Sequence, residues 1–452
     1  MEEIVGLAPS GSMGSGYNVD AFKRGLAANP HFIGQDAGST DMGPYYHGTG
    51  APFLPLATYR HDLSIMLRAA RERRIPLLVG SALTSGCNAT LAMAVRMVGE
   101  IAQEHGLSFR LATISAEIDK ADLKRRLAQE PFESLGPDGP LTPETIDRCG
   151  PIAAQMGTEP FVRALDAGAE VVIAGRACDD AIFAAMPIMQ GYDKGLALHC
   201  GKILECAGLS AIPYDLAEPL LGRVRRDHFE VEPCHPDHRC TTVSVAGHSL
   251  YERGDPCLQP GPGGMNDLTD ATFTQLDARR VKVSGSRFIP DRIYRVKLEG
   301  AEQVGFRSIV IVGIRDPIMI RQIDSILEEA RRRAEDRFKA AGGFNLLYRV
   351  YGKNAVMGPL EPEVETRSHE LGLVIDVVAP TQDLATGVAM FVRGTLQHAS
   401  YPGIVTTAGN MAYPFSPFGI PVGPAHRFSV YHLMALGDPC ECFPMSIEEV
   451  RN

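Results

Sequence analysis

VVIAGRACDD, residues 171–180, is the stretch whose reading decides the fold. Its four apolar residues, Val171 to Ala174, are too few for a helix and rich in β-branching, so they read as a buried strand of a parallel sheet. Gly175 lets the backbone turn sharply. Arg176, Asp179 and Asp180 follow at once, ahead of the helical run AIFAAMPIMQ. Open α/β sheets bind ligands at the carboxyl ends of their strands. An arginine and two carboxylates therefore stand where such a fold puts its chemistry. The competing reading is an Arg–Asp pair that only pins the loop.

The same pattern recurs on the amino-terminal side. Ile4 to Ala8 reads as a strand and runs into the small-residue loop PSGSMGSGYN, with a helix from Val19 to Ala28 behind it. Strand, glycine loop and helix together present backbone N–H groups to an anion. Phe32 and Ile33 end a second strand, followed by Asp36, Ser39, Thr40 and Asp41 among glycines. Pro76 to Val79 leads into GSALTSG, and Asn88 can cap the helix Ala89 to His105. Phe109 to Ile114 delivers Ser115, Glu117, Asp119 and Lys120.

Strand alternates with helix throughout this half. That pattern predicts an α/β fold built on a doubly wound, mostly parallel sheet with right-handed crossovers. Parallel strands end on one edge, so the five loops should converge on one pocket containing Arg176. Asp36, Asp41, Glu117 and Asp179 are the candidate acid/base groups. Ser10, Gly11, Ser39, Ser81, Thr84, Lys120 and Arg176 are the candidate substrate-binding residues. Two carboxylates five apart, Asp36 and Asp41, could also hold a divalent cation, although no spacing identifies one.

Further along, His199, Lys202 and Glu205 share a face of the helix read from Ala197 to Cys206; they could border the site or form a surface ion pair, and the surface or an oligomer contact is the preferred reading. Cys234, His235, His238 and Cys240, with His228 nearby, lack the spacing of a structural zinc site and carry interrupting prolines. VKVSGSRF and YRVKLEGAE alternate like antiparallel strands, and SIVIVGI is a further buried one. A long helix from Pro317 ends at Ala341-Gly342-Gly343. This break divides the expected organisation into residues 1–340, an α/β domain with the site, and residues 341–452, a smaller α+β domain.

With 452 residues, 45% of them hydrophobic, the chain can bury a large core. Its net charge of −10 and lack of a basic block argue against nucleic acid. No apolar run is long enough to span a bilayer, and MEEIVGLAPS lacks the features of a secretory signal. Ten scattered cysteines without a CxxC pair read as reduced thiols. A cytoplasmic homo-oligomer that binds neither membrane nor nucleic acid is expected.

GLAPSGSMGSGY, FIGQDAGSTDMGPYY, LLVGSALTSG, ISAEIDK, VVIAGRACDDAIFAAMPI, KILECAG, VSGSRF, YRVKLEGAE and SIVIVGIRDP together resemble the acyclic terpene utilisation (AtuA-like) family. YRVYGKNAVMGPLEPE and VVAPTQDLA fit a common carboxyl-terminal extension of it. The resemblance implies catabolism of citronellol-like terpenes through CoA intermediates, and some relatives carry the label methylaspartate ammonia-lyase. It brings no catalytic residues to carry over. Leu83 stands where the family's GSAGTSGG-like form has glycine.

The leading expectation is a lyase or hydratase acting on a small carboxylate or its CoA thioester by proton abstraction next to a carbonyl. The alternative is a non-catalytic ligand-binding subunit of a catabolic complex. A nicotinamide-dependent dehydrogenase would rest on the GSMGSG loop alone, which matches the dinucleotide fingerprint only loosely.

Overall fold

The computed structural model describes residues 2–137, 139–252, 254–407, 410–414 and 416–451. The chain divides into two compact units, one formed by Met1–Glu302 with Phe428–Asn452, the other by Gln303–Arg427. The Ala341-Gly342-Gly343 turn follows the Ile323–Phe338 helix inside the second unit.

The first unit is built on a ten-stranded mixed sheet. Its parallel run takes Ile4–Ala8, Phe32–Asp36, Leu77–Gly80, Val171–Ala174 and Phe109–Ile114 in that spatial order. The expectation of a mostly parallel sheet needs correction at both edges. Leu220–Val224 pairs antiparallel with Ile4–Ala8, and Phe229–Pro233, Val281–Ser284 and Thr272–Gln275 extend that edge antiparallel. Met445–Val450 closes the other edge antiparallel to Phe109–Ile114. The reason lies in the connections. Residues 225–228 are too short a link for anything but a hairpin, whereas a parallel partner needs a crossover.

Within the parallel run the strands do not alternate apolar with polar, because both faces are covered. Val172 and Ala174 pack into one core with Ile182, Phe183 and Leu196. Val171 and Ile173 pack into another with Phe22, Leu63, Leu67 and Leu91. All four residues of Val171–Ala174 are fully buried. No helix among the described residues is long and apolar enough to cross a membrane.

The second unit mixes helix with an antiparallel sheet. Residues 306–314, the end of the Tyr294–Ile314 strand, pair with Leu371–Ala379, which pairs in turn with Asn345–Tyr351. The helices Ile323–Phe338 and Gln382–Gln397 supply the apolar residues of its core, including Leu327 and Val388. Thr381 caps the second of these helices by accepting from the Leu384 N–H.

The strand-end loops of the first unit approach one another backbone to backbone. A Cβ on Gly38 would fall 2.1 Å from the Thr84 carbonyl oxygen, and one on Gly86 would fall 2.2 Å from the Arg176 nitrogen. Gly86 also has φ of +62°, which side chains resist. Gly86→Ala is expected to cost about 3 kcal/mol or more through overpacking and strain together. Gly99, in the middle of the Asn88–His105 helix with nothing within 4 Å of its added Cβ, provides the contrast. Gly99→Ala should stabilise by about 0.5–1 kcal/mol. Urea denaturation of the two variants checks both signs.

Candidate functional site

Arg176 leaves the Val171–Ala174 strand one residue after Gly175 and goes inward. It is 3% exposed. Its Nε donates to Glu299 Oε2 at 2.7 Å, and its Nη1 donates to Ser81 Oγ at 3.0 Å and to the Gly38 carbonyl at 3.3 Å. Asp179 Oδ1 lies 3.5 Å from the same Nη1. One guanidinium thus joins the loops after three parallel strands to Glu299 on the Tyr294–Ile314 strand. Glu299 is 1% exposed and also pairs with Lys297 Nζ at 2.7 Å. Burial alone would raise its pKa, but Arg176 and then Lys297 outweigh that and bring it down to about 2.

The Ser81 loop holds this arrangement under strain. Ser81, Leu83 and Thr84 have φ of +51°, +53° and +103°. Three non-glycine residues in that region within one loop store backbone energy of the kind that clusters at functional sites. Ser81 Oγ accepts from Arg176 and from the Ala177 N–H at 3.2 Å, which fixes the loop to the next strand end.

Beside this knot opens a cleft of about 680 Å³ whose walls come from the first unit. Ser39, Asp41, Arg176, Asp179, Asp180, Lys202 and Glu205 line it. Here the expectation for the Ala197–Cys206 helix is corrected: His199, Lys202 and Glu205 are all buried rather than at the surface. The helix, Lys194–Leu204, packs against the helix that starts at Asp179 and against Leu220–Val224, so its polar face turns inward. Lys202 Nζ pairs closely with Glu205 and lies 3.4 Å from Glu252 Oε2. His199 sits between Ser286 Oγ at 2.7 Å and Ser249 Oγ at 2.8 Å, and burial brings its pKa down to about 3.

Two carboxyls of this region, Glu205 and Asp36, have raised pKa values. Glu205 is pushed up to about 8 by burial first and the nearby Asp179 second, with Lys202 acting against them. Asp36 is pushed well above the usual carboxylate range by burial, then by Asp179, with Arg176 opposing. Its Oδ2 accepts from the Gly38 N–H at 3.3 Å, while its buried Oδ1 has no hydrogen-bond partner among the described residues. No group of three or more His, Cys, Asp and Glu side chains among the described residues is placed to hold a metal ion.

Other expected site residues are engaged elsewhere. Glu117 Oε2 accepts from the Asn88 N–H at 2.7 Å, at the start of the Asn88–His105 helix. Lys120 Nζ donates to the carbonyls of Asp147 and Cys149. Thr84 Oγ1 accepts from the Phe53 N–H at 3.0 Å. Ser10 bonds with Gln35, and Gly11 donates to the Leu216 carbonyl, where a Cβ would meet Leu216 at 2.5 Å. None of these five lines the cleft. Sequence reasoning missed Lys297 and Glu299 as site residues, and it ranked a place at the site for Lys202 and Glu205 below the surface. For the first two a signal existed, since Lys297 and Glu299 are charges at alternate positions in YRVKLEGAE, on one face of a strand whose other face is apolar.

A family model described as "Acyclic terpene utilisation family protein AtuA" matches residues 57–213 and 231–418. No curated protein and no solved structure matches the chain.

Two predictions follow from the charges. Removing one partner of a buried ion pair strands the other, so Arg176→Ala should cost about 3–5 kcal/mol of stability, measurable by denaturant unfolding. For Glu205 the folded-state pKa is raised from 4.5 to about 8. Its contribution to stability is therefore fully present below about pH 4.5 and lost as pH rises through about 8. Glu299 works in the opposite sense: with a folded-state pKa of about 2, its contribution is present above about pH 4.5 and lost only as pH falls toward 2. Thermal melts between about pH 5 and 8.5 should show a decline that Glu205→Gln flattens. An unaltered slope in that variant would sink the assignment.

Proposed function

The chain belongs to the acyclic terpene utilisation (AtuA) family, and from that premise we propose a catabolic lyase or hydratase acting on a small carboxylate or its CoA thioester. The observation that carries this reading is Glu205, a buried carboxyl in the cleft wall whose pKa lies near 8. A general acid or base works best when its pKa is close to the operating pH. Glu205 would take the proton from the carbon next to the substrate carbonyl. The electron pair of that C–H bond then forms the carbon–carbon double bond as water or ammonia leaves the neighbouring carbon. Asp179 would return the proton the leaving group needs, and Lys202 would face the developing enolate charge. The absence of a three-ligand cluster leaves a divalent cation without dedicated ligands from the described residues. All ten cysteines are free thiols, which supports a cytoplasmic location.

A second reading, a binding subunit without turnover, draws support from Arg176. This arginine is engaged by Glu299, Asp179, Ser81 and Gly38. Exchange in D₂O separates the two. Short branched acyl-CoA thioesters and their free acids are incubated with the protein, and mass spectrometry follows deuterium entering next to the carbonyl. The enzyme reading expects incorporation, slowed about 10²–10⁴-fold in Glu205→Gln. Ligands that bind yet acquire no deuterium would establish the binding subunit instead.

A further inference from the structure

The cations lining the cleft differ in how far they are already engaged. Arg176 is held by Glu299, Asp179, Ser81 and the Gly38 carbonyl. Lys202 is paired with Glu205 and Glu252. Lys297 pairs with Glu299 and lies over the Tyr431 ring, 5.3 Å from its centroid. Arg295 also lines the cleft, and its side chain makes no ion pair or hydrogen bond with any described residue.

Its placement follows from strand geometry. Val296 and Leu298 are fully buried on the core face of the Tyr294–Ile314 strand. Arg295, Lys297 and Glu299 therefore share the opposite face. Along that face burial falls from Glu299 at 1% side-chain exposure to Lys297 at 22%, with Arg295 half-buried beyond. Glu299 neutralises the inner charges, and the outer end of the row is left positive.

We propose that Arg295 is the anion anchor of the cleft, receiving a carboxylate or phosphate oxyanion of the substrate with Lys297 beside it. The proposal rests on the reading of this cleft as the substrate site. A guanidinium suits the task because its planar fork takes an oxyanion through two parallel N–H···O bonds. An anion entering here displaces no existing partner of Arg295, whereas one approaching Arg176 must compete with Glu299. The anchor would hold the charged end of the substrate away from Asp179 and Glu205, which would otherwise repel it.

Calorimetry with coenzyme A and with 3-methylcrotonate as separate probes tests this on the full chain. Arg295→Ala should weaken binding ten-fold or more, and Arg295→Lys should recover only part, since a point charge cannot form the fork. Thermal melts should change little, because the side chain gives up no ion pair or hydrogen bond with any described residue. Loss confined to coenzyme A identifies a phosphate as the anchored group, and loss with 3-methylcrotonate identifies a carboxylate. Unchanged affinity for every probe that binds overturns the proposal, as does failure of both to bind the unaltered protein at millimolar concentration. The deuterium exchange assay keeps the two readings apart. Weakened binding in Arg295→Ala with no exchange in the unaltered protein upholds the anchor and rejects the chemistry. Exchange with unchanged affinity in Arg295→Ala does the reverse.

Discussion

Arg176 and Glu299 are each almost wholly buried, and the 2.7 Å bond between them ties the end of a central parallel strand to a strand that arrives 123 residues later. Burying either charge alone would cost several kcal/mol. Together, with Ser81, the Gly38 carbonyl, Asp179 and Lys297 around them, the two charges are satisfied. The glycines at 38, 86 and 175 exist in this context because the loops must come close enough for one guanidinium to reach all of them. A Cβ at Gly175 would meet the Gly86 carbonyl oxygen at 2.6 Å, so the close approach is mutual. Arg176 is therefore primarily the element that sets the shape of the cleft floor.

The parallel strands were legible because each is a short apolar run closed by small polar residues. Ile4–Ala8, Phe109–Ile114 and Val171–Ala174 fall where the pattern puts them. The antiparallel edges were harder to read, since a hairpin strand such as Leu220–Val224 has the same apolar character as a parallel one and only its pairing differs. Loop charges showed the same limit. Glu117 and Lys120 carry the right chemistry at a strand end, yet one joins a helix start and the other binds backbone carbonyls. Sequence places a charge near an edge but does not say whether a local N–H or C=O claims it first.

The opposite error concerned the Lys194–Leu204 helix. A lysine and glutamate three apart look like a solvated pair, and most such pairs are. Here Leu196, Ile203 and Leu204 are buried as well, so the helix is covered on every side and its polar residues have no solvent face to occupy. The all-round apolar content of KGLALHCGKIL carried that information, because a helix apolar beyond one stripe belongs in an interior. Leu83 is a similar case. It holds a left-handed conformation of the kind that favours glycine, and it is fully buried. Its apolar burial offsets the backbone strain, of order 1–3 kcal/mol, which glycine would avoid.

The charge pattern of the cleft follows from these constraints. Burial first and the Asp179 carboxylate second both disfavour the ionisation of Asp36 and of Glu205. Arg176 opposes this at Asp36 and Lys202 at Glu205, in each case only in part. Glu205, pushed up to about 8, can therefore give up or accept a proton near neutral pH. A further cation set against Glu205 would lower its pKa and keep it ionised, whereas Arg295, partly solvated, makes no ion pair with any described carboxylate. The charges that set the Glu205 pKa are Asp179, Lys202 and Asp180, so an anion held by Arg295 would leave that carboxyl able to take up and release a proton near neutral pH.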